Sequence, residues 1–246
     1  IRYQPRSRGL GDVYKRQGAN RGIGYEHVAQ YAQKKWKVIA CTRQPEKATE
    51  LLQLQDKYGT NFIIEELEVT NHKQVDELAE KYNNTAIDIL INNAGTGGPK
   101  GMPAAMDYQK IDSMDYQIWR EILEVNLLAP FKVATSFRKQ ISMSDKKTLI
   151  MMSSDLGSVY QNTFGGLYSY RASKSGLNVV TKGMSNEWKD IIVVALAPGW
   201  CRTHLGGAEA EIDPVVSVED QQKMFESLTA SDSGKFLDRF GNDVPW

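Results

Sequence analysis

Gly18-Ala-Asn-Arg-Gly22-Ile-Gly24 runs directly into Tyr25-Glu-His-Val-Ala-Gln-Tyr-Ala-Gln-Lys-Lys35, and then into Trp36-Lys-Val-Ile-Ala-Cys-Thr42. Read in order, these are a glycine turn, a helix over 22–35 and a buried strand over 36–42. Glycines at the head of a helix let backbone N–H groups approach a diphosphate at the positive helix terminus. The spacing, G-x-x-x-G-x-G, differs from the commoner dinucleotide fingerprint and carries little weight alone. Arg21 sits inside the turn, and Arg43 follows the strand where an acidic residue would grip a ribose 2′-hydroxyl. Two cations at these places favour a 2′-phosphate, hence NADPH.

From this stretch outward, helix-like and strand-like segments alternate, the pattern of a parallel sheet with helices on both faces. Helices are predicted over 46–58, 73–82, 116–139 and 218–229, with another opened by Tyr168. Strands are predicted over 61–66, 87–92, 148–153, 191–197 and 234–237. The fold class expected is α/β, one doubly wound Rossmann-type domain. Its 246 residues, 41% hydrophobic and 24% charged, suffice for one full core.

Thirty basic residues against thirty acidic ones leave no field for nucleic acid. No apolar run approaches a membrane span and no signal peptide is evident, so the expected location is cytoplasmic. Cys41 and Cys201, with His27, His72 and His204, lack metal-ligand spacing, and no metal is predicted.

Backward from Gly18, the chain changes character. Ser7-Arg-Gly-Leu-Gly-Asp-Val-Tyr-Lys-Arg-Gln17 matches, over eleven consecutive residues, the translation of a common transposase sequencing adapter. Residues 1–17 are therefore read as a non-native segment and 18–246 as the domain. The segment holds five of the thirty basic residues and one of the thirty acidic ones, so the remainder carries a net charge of −4. A central parallel strand should be a continuous apolar run. Val13-Tyr14-Lys15-Arg16-Gln17 is not, and the first strand is expected to be missing or replaced. The expectation is a detached segment up to about residue 11 and at most a short strand over 12–17.

The chemistry is predicted at Tyr168-Ser-Tyr-Arg-Ala-Ser-Lys-Ser-Gly-Leu-Asn-Val-Val-Thr-Lys182. In a helix, Tyr170 and Lys174 share a face, so the ammonium should favour an ionised phenol and make it a usable acid and base. With eleven Tyr and nineteen Lys in the chain, one such pair is expected by chance, and Tyr31 with Lys35 is another.

Asn92-Asn93-Ala94-Gly95 after one strand, Ser153-Ser154 after the next, Tyr170 with Lys174, and then Pro198-Gly199 follow in order. With the glycine turn, this order resembles the short-chain dehydrogenase/reductase family from Gly18 to the C-terminus. Gly165-Gly-Leu-Tyr-Ser-Tyr-Arg-Ala-Ser-Lys-Ser-Gly-Leu-Asn178, Pro198-Gly-Trp-Cys-Arg-Thr-His-Leu-Gly-Gly207 and the ending Gly234-Lys-Phe-Leu-Asp…Pro245-Trp246 look like its sniffer-like and C-factor-like carbonyl reductases.

The resemblance implies NADPH-dependent reduction of an aldehyde, ketone or quinone. Tyr170 would protonate the substrate oxygen, and Lys174 would lower its pKa and hold the nicotinamide ribose. Ser154 would bond the carbonyl, with Ser153 and Ser158 as substitutes, and Asn126 would anchor a proton-relay water or serve the helix structurally. Gly18, Asn20, Arg21, Gly22, Ile23 and Gly24 would form the phosphate turn, and Asn93, Ala94 and Gly95 would line the adenine ribose. Glu68 and Val69 would flank the adenine, although Glu68 departs from the usual aspartate. Pro198, Gly199, Cys201 and Thr203 would meet the nicotinamide. Met102, Tyr160, Phe164, Trp200 and Leu205, on three loops over the site, suggest an apolar small-molecule substrate or simply pack those loops. The alternative function is a non-catalytic NADP(H)-binding regulator. The helices opened by Tyr116 and Tyr168 often pair with symmetry mates in this family, which implies a homodimer.

Overall fold

The computed structural model describes residues 7–11, 19, 21–99, 101 and 104–246, with backbone alone for 7–11. Gly18, Asn20 and Met102 lie outside the described residues. Among the described residues, seven parallel strands form two ladders. The first has the order β1 (Ser7–Gly11), β2 (Lys37–Thr42), β3 (Phe62–Glu66), and the second β4 (Ile89–Asn92), β5 (Thr148–Met152), β6 (Ile192–Ala197), β7 (Phe236–Asp238). β1 lies against β4, so the two ladders meet side by side.

Each β–β crossing is made by a helix: α1 (Gly22–Gln33), α2 (Thr49–Tyr58), α3 (His72–Lys81), α4 (Tyr116–Leu123), α5 (Ala129–Ser136), α6 (Arg138–Ser142), α7 (Tyr168–Glu187) and α8 (Pro214–Ser227). Helices cover both faces because the strands are apolar on both. Ile39, Cys41, Leu90, Leu149, Met151 and Val193 face the core under α3, α5 and α7. Their neighbours Val38, Ala40, Ile89, Ile91, Ile150, Met152, Val194 and Leu196 face the core under α1, α2 and α8. The period-two alternation thus reports two buried faces rather than one wet and one dry.

Two expectations are corrected. Ser7–Gly11 forms a strand, so residues up to 11 are not all detached, and the strand expected over 12–17 lies outside the described residues. Ser7–Gly11 pairs with β2 in the register Leu10↔Ile39 and Gly11↔Ala40, with an irregularity after Ser7. The edges of β2 and β4 require backbone partners, and Ser7–Gly11 supplies them while bringing a single charge, Arg8. The predicted helix over 116–139 is also not continuous. Pro130 has no N–H to bond the Asn126 carbonyl in α-helical register. The backbone widens into a π turn over Glu124–Leu128, and the Ala129 N–H reaches back five residues to Glu124.

Candidate active site

The C-terminal ends of β2, β4, β5 and β6 deliver Arg43, Asn93, Ser153 and Pro198, and α1 and α7 begin nearby. Between them lies a cleft open to solvent. Of the residues expected at the site, Arg21, Gly22, Ile23, Gly24, Asn93, Gly95, Tyr170, Lys174, Pro198, Thr203 and Leu205 line it. Met152, Ser153 and His204 line it as well. Tyr31 and Lys35 do not. Tyr31 is packed between His27 and Trp36 on α1, and the second Tyr/Lys pair is a core residue beside an exposed lysine.

At the phosphate end, Gly22 has φ +58°, and a Cβ there would come within 3.0 Å of Thr203 Cγ2. A side chain would therefore be strained and would crowd the facing wall. The N-cap of α1, Arg21, makes no side-chain cap. Arg43 donates to Glu68 Oε2 at 3.3 Å, and Glu68 Oε1 accepts from the Thr70 N–H and hydroxyl at 3.3 and 3.0 Å. Glu68 thus orients Arg43. Val69 is buried in the core, as is Ala94, so neither offers its side chain to the cleft. Cys201 is buried too, and burial pushes its thiol up.

At the other end, Tyr170 and Lys174 are 6% and 3% exposed. The Lys174 Nζ donates to the Met152 carbonyl at 2.7 Å and lies 5.8 Å from the Tyr170 ring centroid. A Cβ on Gly95 would sit 3.5 Å from this Nζ and 3.6 Å from Asn126 Oδ1, so the missing side chain keeps that wall open. Burial pushes Tyr170 up to about 12, opposed by a hydrogen bond with Ser154 and helped by the charge of Asp155. Burial also pulls Lys174 down to about 7. This direction is opposite to the expected lowering of the phenol by Lys174: in the cofactor-free cleft burial dominates at Tyr170.

Ser154 is held by accepting from the Leu156 N–H at 3.2 Å. The two substitutes are otherwise employed. Ser153 donates to Asn178 Oδ1 at 2.6 Å, and Ser158 donates to the Pro245 carbonyl at 2.5 Å. Asn126 is fully buried in the π turn. Its Oδ1 accepts from the Thr96 N–H at 2.8 Å, and its Nδ2 donates to the Thr96 carbonyl and to Ser173 Oγ, both at 2.9 Å. Both side-chain donors are committed to protein groups.

The loop residues divide. Tyr160, Phe164 and Trp200, at 81%, 67% and 47% exposure, face solvent rather than line the cleft. Phe164 stacks under Arg171, 4.4 Å from the ring centroid, and the Trp200 indole donates to the Gly206 carbonyl at 2.8 Å. Of the described loop residues expected at the site, Leu205 alone joins the apolar patch that includes Tyr170; its other members are Ala105, Leu167, Met106, Tyr108 and Leu156. Those residues lacked any motif to mark them.

Residues 17–212 match the profile of the short chain dehydrogenase family. The chain belongs to the short-chain dehydrogenase family. Among its relatives, the C-signal of Myxococcus xanthus is 31% identical over 162 residues, 65% of this chain and 93% of that protein. The solved carbonyl reductase Sniffer of D. melanogaster superposes with TM-score 0.86 at 27% identity, covering 99% of this chain and all of that one. An NADPH-bound carbonyl reductase from chicken fatty liver superposes with TM-score 0.83 at 28% identity, covering 98% and 100%. This short-chain dehydrogenase is accordingly an oxidoreductase with a Rossmann-type sheet. Among the described residues no helix is long and apolar enough to cross a membrane, and no cluster of potential ligands could hold a metal.

Proposed function

We propose that this dehydrogenase uses NADPH to reduce a small apolar carbonyl compound, with Tyr170 as the proton donor. The observation that supports this best is the placing of a neutral, buried Tyr170 beside Ser154 and Lys174 in the same cleft as the glycine turn. The residues suit the cofactor. The turn at Gly22 and the start of α1 offer N–H groups to a diphosphate, and Arg21 and Arg43 offer charge to a 2′-phosphate. Asn93 and Gly95 would meet the adenine ribose, and Pro198 and Thr203 the nicotinamide.

NADPH, when bound, supplies the hydride. The chain's own groups supply everything else. Ser154 donates to the substrate oxygen and fixes its distance from Tyr170. The Tyr170 phenol releases its proton to that oxygen as negative charge develops there. Lys174, with a pKa near neutrality, then passes a proton toward the phenolate. Its ammonium also stabilises the phenolate while that charge lasts. Leu205, Leu167 and Met106 favour an apolar substrate body. The domain proper is taken as 18–246.

Purified protein should oxidise NADPH with at least one member of a panel of aldehydes, ketones and quinones. Tyr170→Phe should reduce the rate by about 10²–10⁴-fold without loss of NADPH binding. An unchanged rate would refute the role of Tyr170, and tight NADPH binding with no turnover on the whole panel would favour a regulator. Leu128, Phe131 and Val179, on the π turn, α5 and α7, are 48%, 43% and 71% exposed, which supports a homodimer through these helices. Light scattering at micromolar concentration should give twice the chain mass, and a monomer would overturn this.

A further inference from the structure

We propose that Gln109, a residue outside every motif, is a positioning residue that fixes Tyr170 by capping the helix on which it sits. The proposal rests on the reading of Tyr170 as proton donor.

Tyr168, Ser169 and Tyr170 form the first turn of α7, whose N–H groups have no partners within the helix. The N-cap residue, Leu167, has φ +50° and an apolar side chain, and provides no cap. Gln109 supplies it from another part of the chain. Its Oε1 accepts from the Tyr170 N–H at 3.0 Å and from the Ser169 hydroxyl, and its own carbonyl accepts from the Tyr168 N–H at 3.4 Å. The side chain is fully buried, 0% exposed. A glutamine buried to that extent is costly unless each polar atom is used.

The remaining group is used as well. Gln109 Nε2 donates to the Gly97 carbonyl at 2.8 Å, which accepts also from the Tyr108 hydroxyl at 3.0 Å. One residue along the chain, Thr96 is gripped through its N–H and its carbonyl by Asn126. Asn126 donates to Ser173 Oγ, and Ser173 donates to the Tyr170 carbonyl at 2.7 Å. The bonds therefore close into a ring that starts at the Tyr170 N–H and returns at the Tyr170 carbonyl. Gln109, Asn126 and Ser173 are its three side-chain links, Gln109 above the first turn of α7 and the other two at the second. With N–H and C=O both held, the phenol can swing only through its own side-chain torsions, and those are limited by burial. Asn126 thereby contributes through its side chain to the same end, which accounts for both of its donors being committed.

The test compares Gln109→Met, which keeps the volume and removes the polar atoms, with Gln109→Glu, which keeps the acceptor and, while protonated, the donor. Hydrogen exchange is read on cofactor-free protein, NADPH affinity by fluorescence titration, and kcat with whichever carbonyl compound the wild type reduces. In Gln109→Met, kcat should fall about tenfold or more, since misplacement of a reacting group is costly. The Kd for NADPH should stay within about twofold, because the phosphate turn is untouched. Exchange in the peptide around 166–172 should quicken about tenfold relative to the C-terminal half of α7. Gln109→Glu should recover most of the lost kcat at pH 6.

Unchanged exchange, kcat within about threefold of wild type, or a Kd that worsens in step with kcat would each overturn the proposal. So would a Glu variant no better than the Met variant. If Gln109→Met does not fold, Ser169→Ala, which removes one of the two donors to Oε1, should quicken exchange at the same peptide and lower kcat with Kd unchanged. No change in either would equally overturn it. A wild type without carbonyl turnover would sink the reductase reading while the exchange comparison still decides the capping role.

Discussion

Replacing Lys174 with methionine should make the cofactor-free protein more stable at low pH, even though it removes a residue assigned to catalysis. Burial pulls the lysine from 10.5 to about 7, a shift that corresponds to about 4–5 kcal/mol of penalty on the charged form. In the unfolded chain the amine stays protonated up to 10.5, whereas the folded protein releases its proton near 7. Between those values the unfolded state holds the extra proton, so stability rises with pH. Below 7 both states are charged, and the native state bears the whole penalty.

Methionine bears none of it, but leaves the Met152 carbonyl, now bonded at 2.7 Å, without its donor. That loss costs about 1–3 kcal/mol. The net gain at pH 6 is about 1–4 kcal/mol, roughly 2–16 °C in Tm for a domain of this size. It should shrink with rising pH and change sign between about pH 8 and 10, where the remaining penalty equals the lost bond. Urea unfolding of both proteins at pH 6, 7, 8, 9 and 10 reads this directly. A Lys174→Met variant that is less stable at pH 6, or a difference that does not vary with pH, would refute the view that burial governs this group.

Other outcomes follow from the same structure. His27 is buried between Tyr31 and Phe225, donates from Nε2 to Gln221, and is pulled by burial to about 4. The unfolded chain takes up that proton first, so stability should fall as pH drops from 6.5 to 4, by up to about 3 kcal/mol, and His27→Phe should remove this part of the slope in an acid titration followed by circular dichroism. Replacing residues 1–17 with an apolar, β-branched strand leading into the glycine turn should raise solubility and thermal midpoint. Ser7–Gly11 contains two glycines and no β-branched residue, a poor composition for a strand set between β2 and β4. Equal midpoints for the two proteins would show that the segment serves the sheet adequately.

The sequence alone determined whatever depends on local spacing. Apolar strands without a polar face announced two buried sides, and the glycine turn, the Asn-Asn-Ala-Gly turn, Ser154, Tyr170 and Lys174 each lay at a strand end or helix start, where order along the chain fixes position in a doubly wound sheet. The break at Asn126 was missed in the helix expected over 116–139, although Pro130 four residues later, which cannot complete an α-helical bond, carries a signal for it. What the sequence could not determine was set by partners distant along the chain. Whether Lys174 or burial controls the Tyr170 phenol depends on how much water the assembled cleft admits, and burial prevails. That Ser7–Gly11 lies between β2 and β4 answers the need of those strand edges for backbone partners, whatever the propensity of the piece itself. Exposure of Tyr160, Phe164 and Trp200 follows from loop paths that carry no periodic signal. Gln109 had no motif to mark it because its role exists only across 61 residues of separation, once the loop after β4 has folded onto the start of α7 and a buried amide must satisfy every atom it carries.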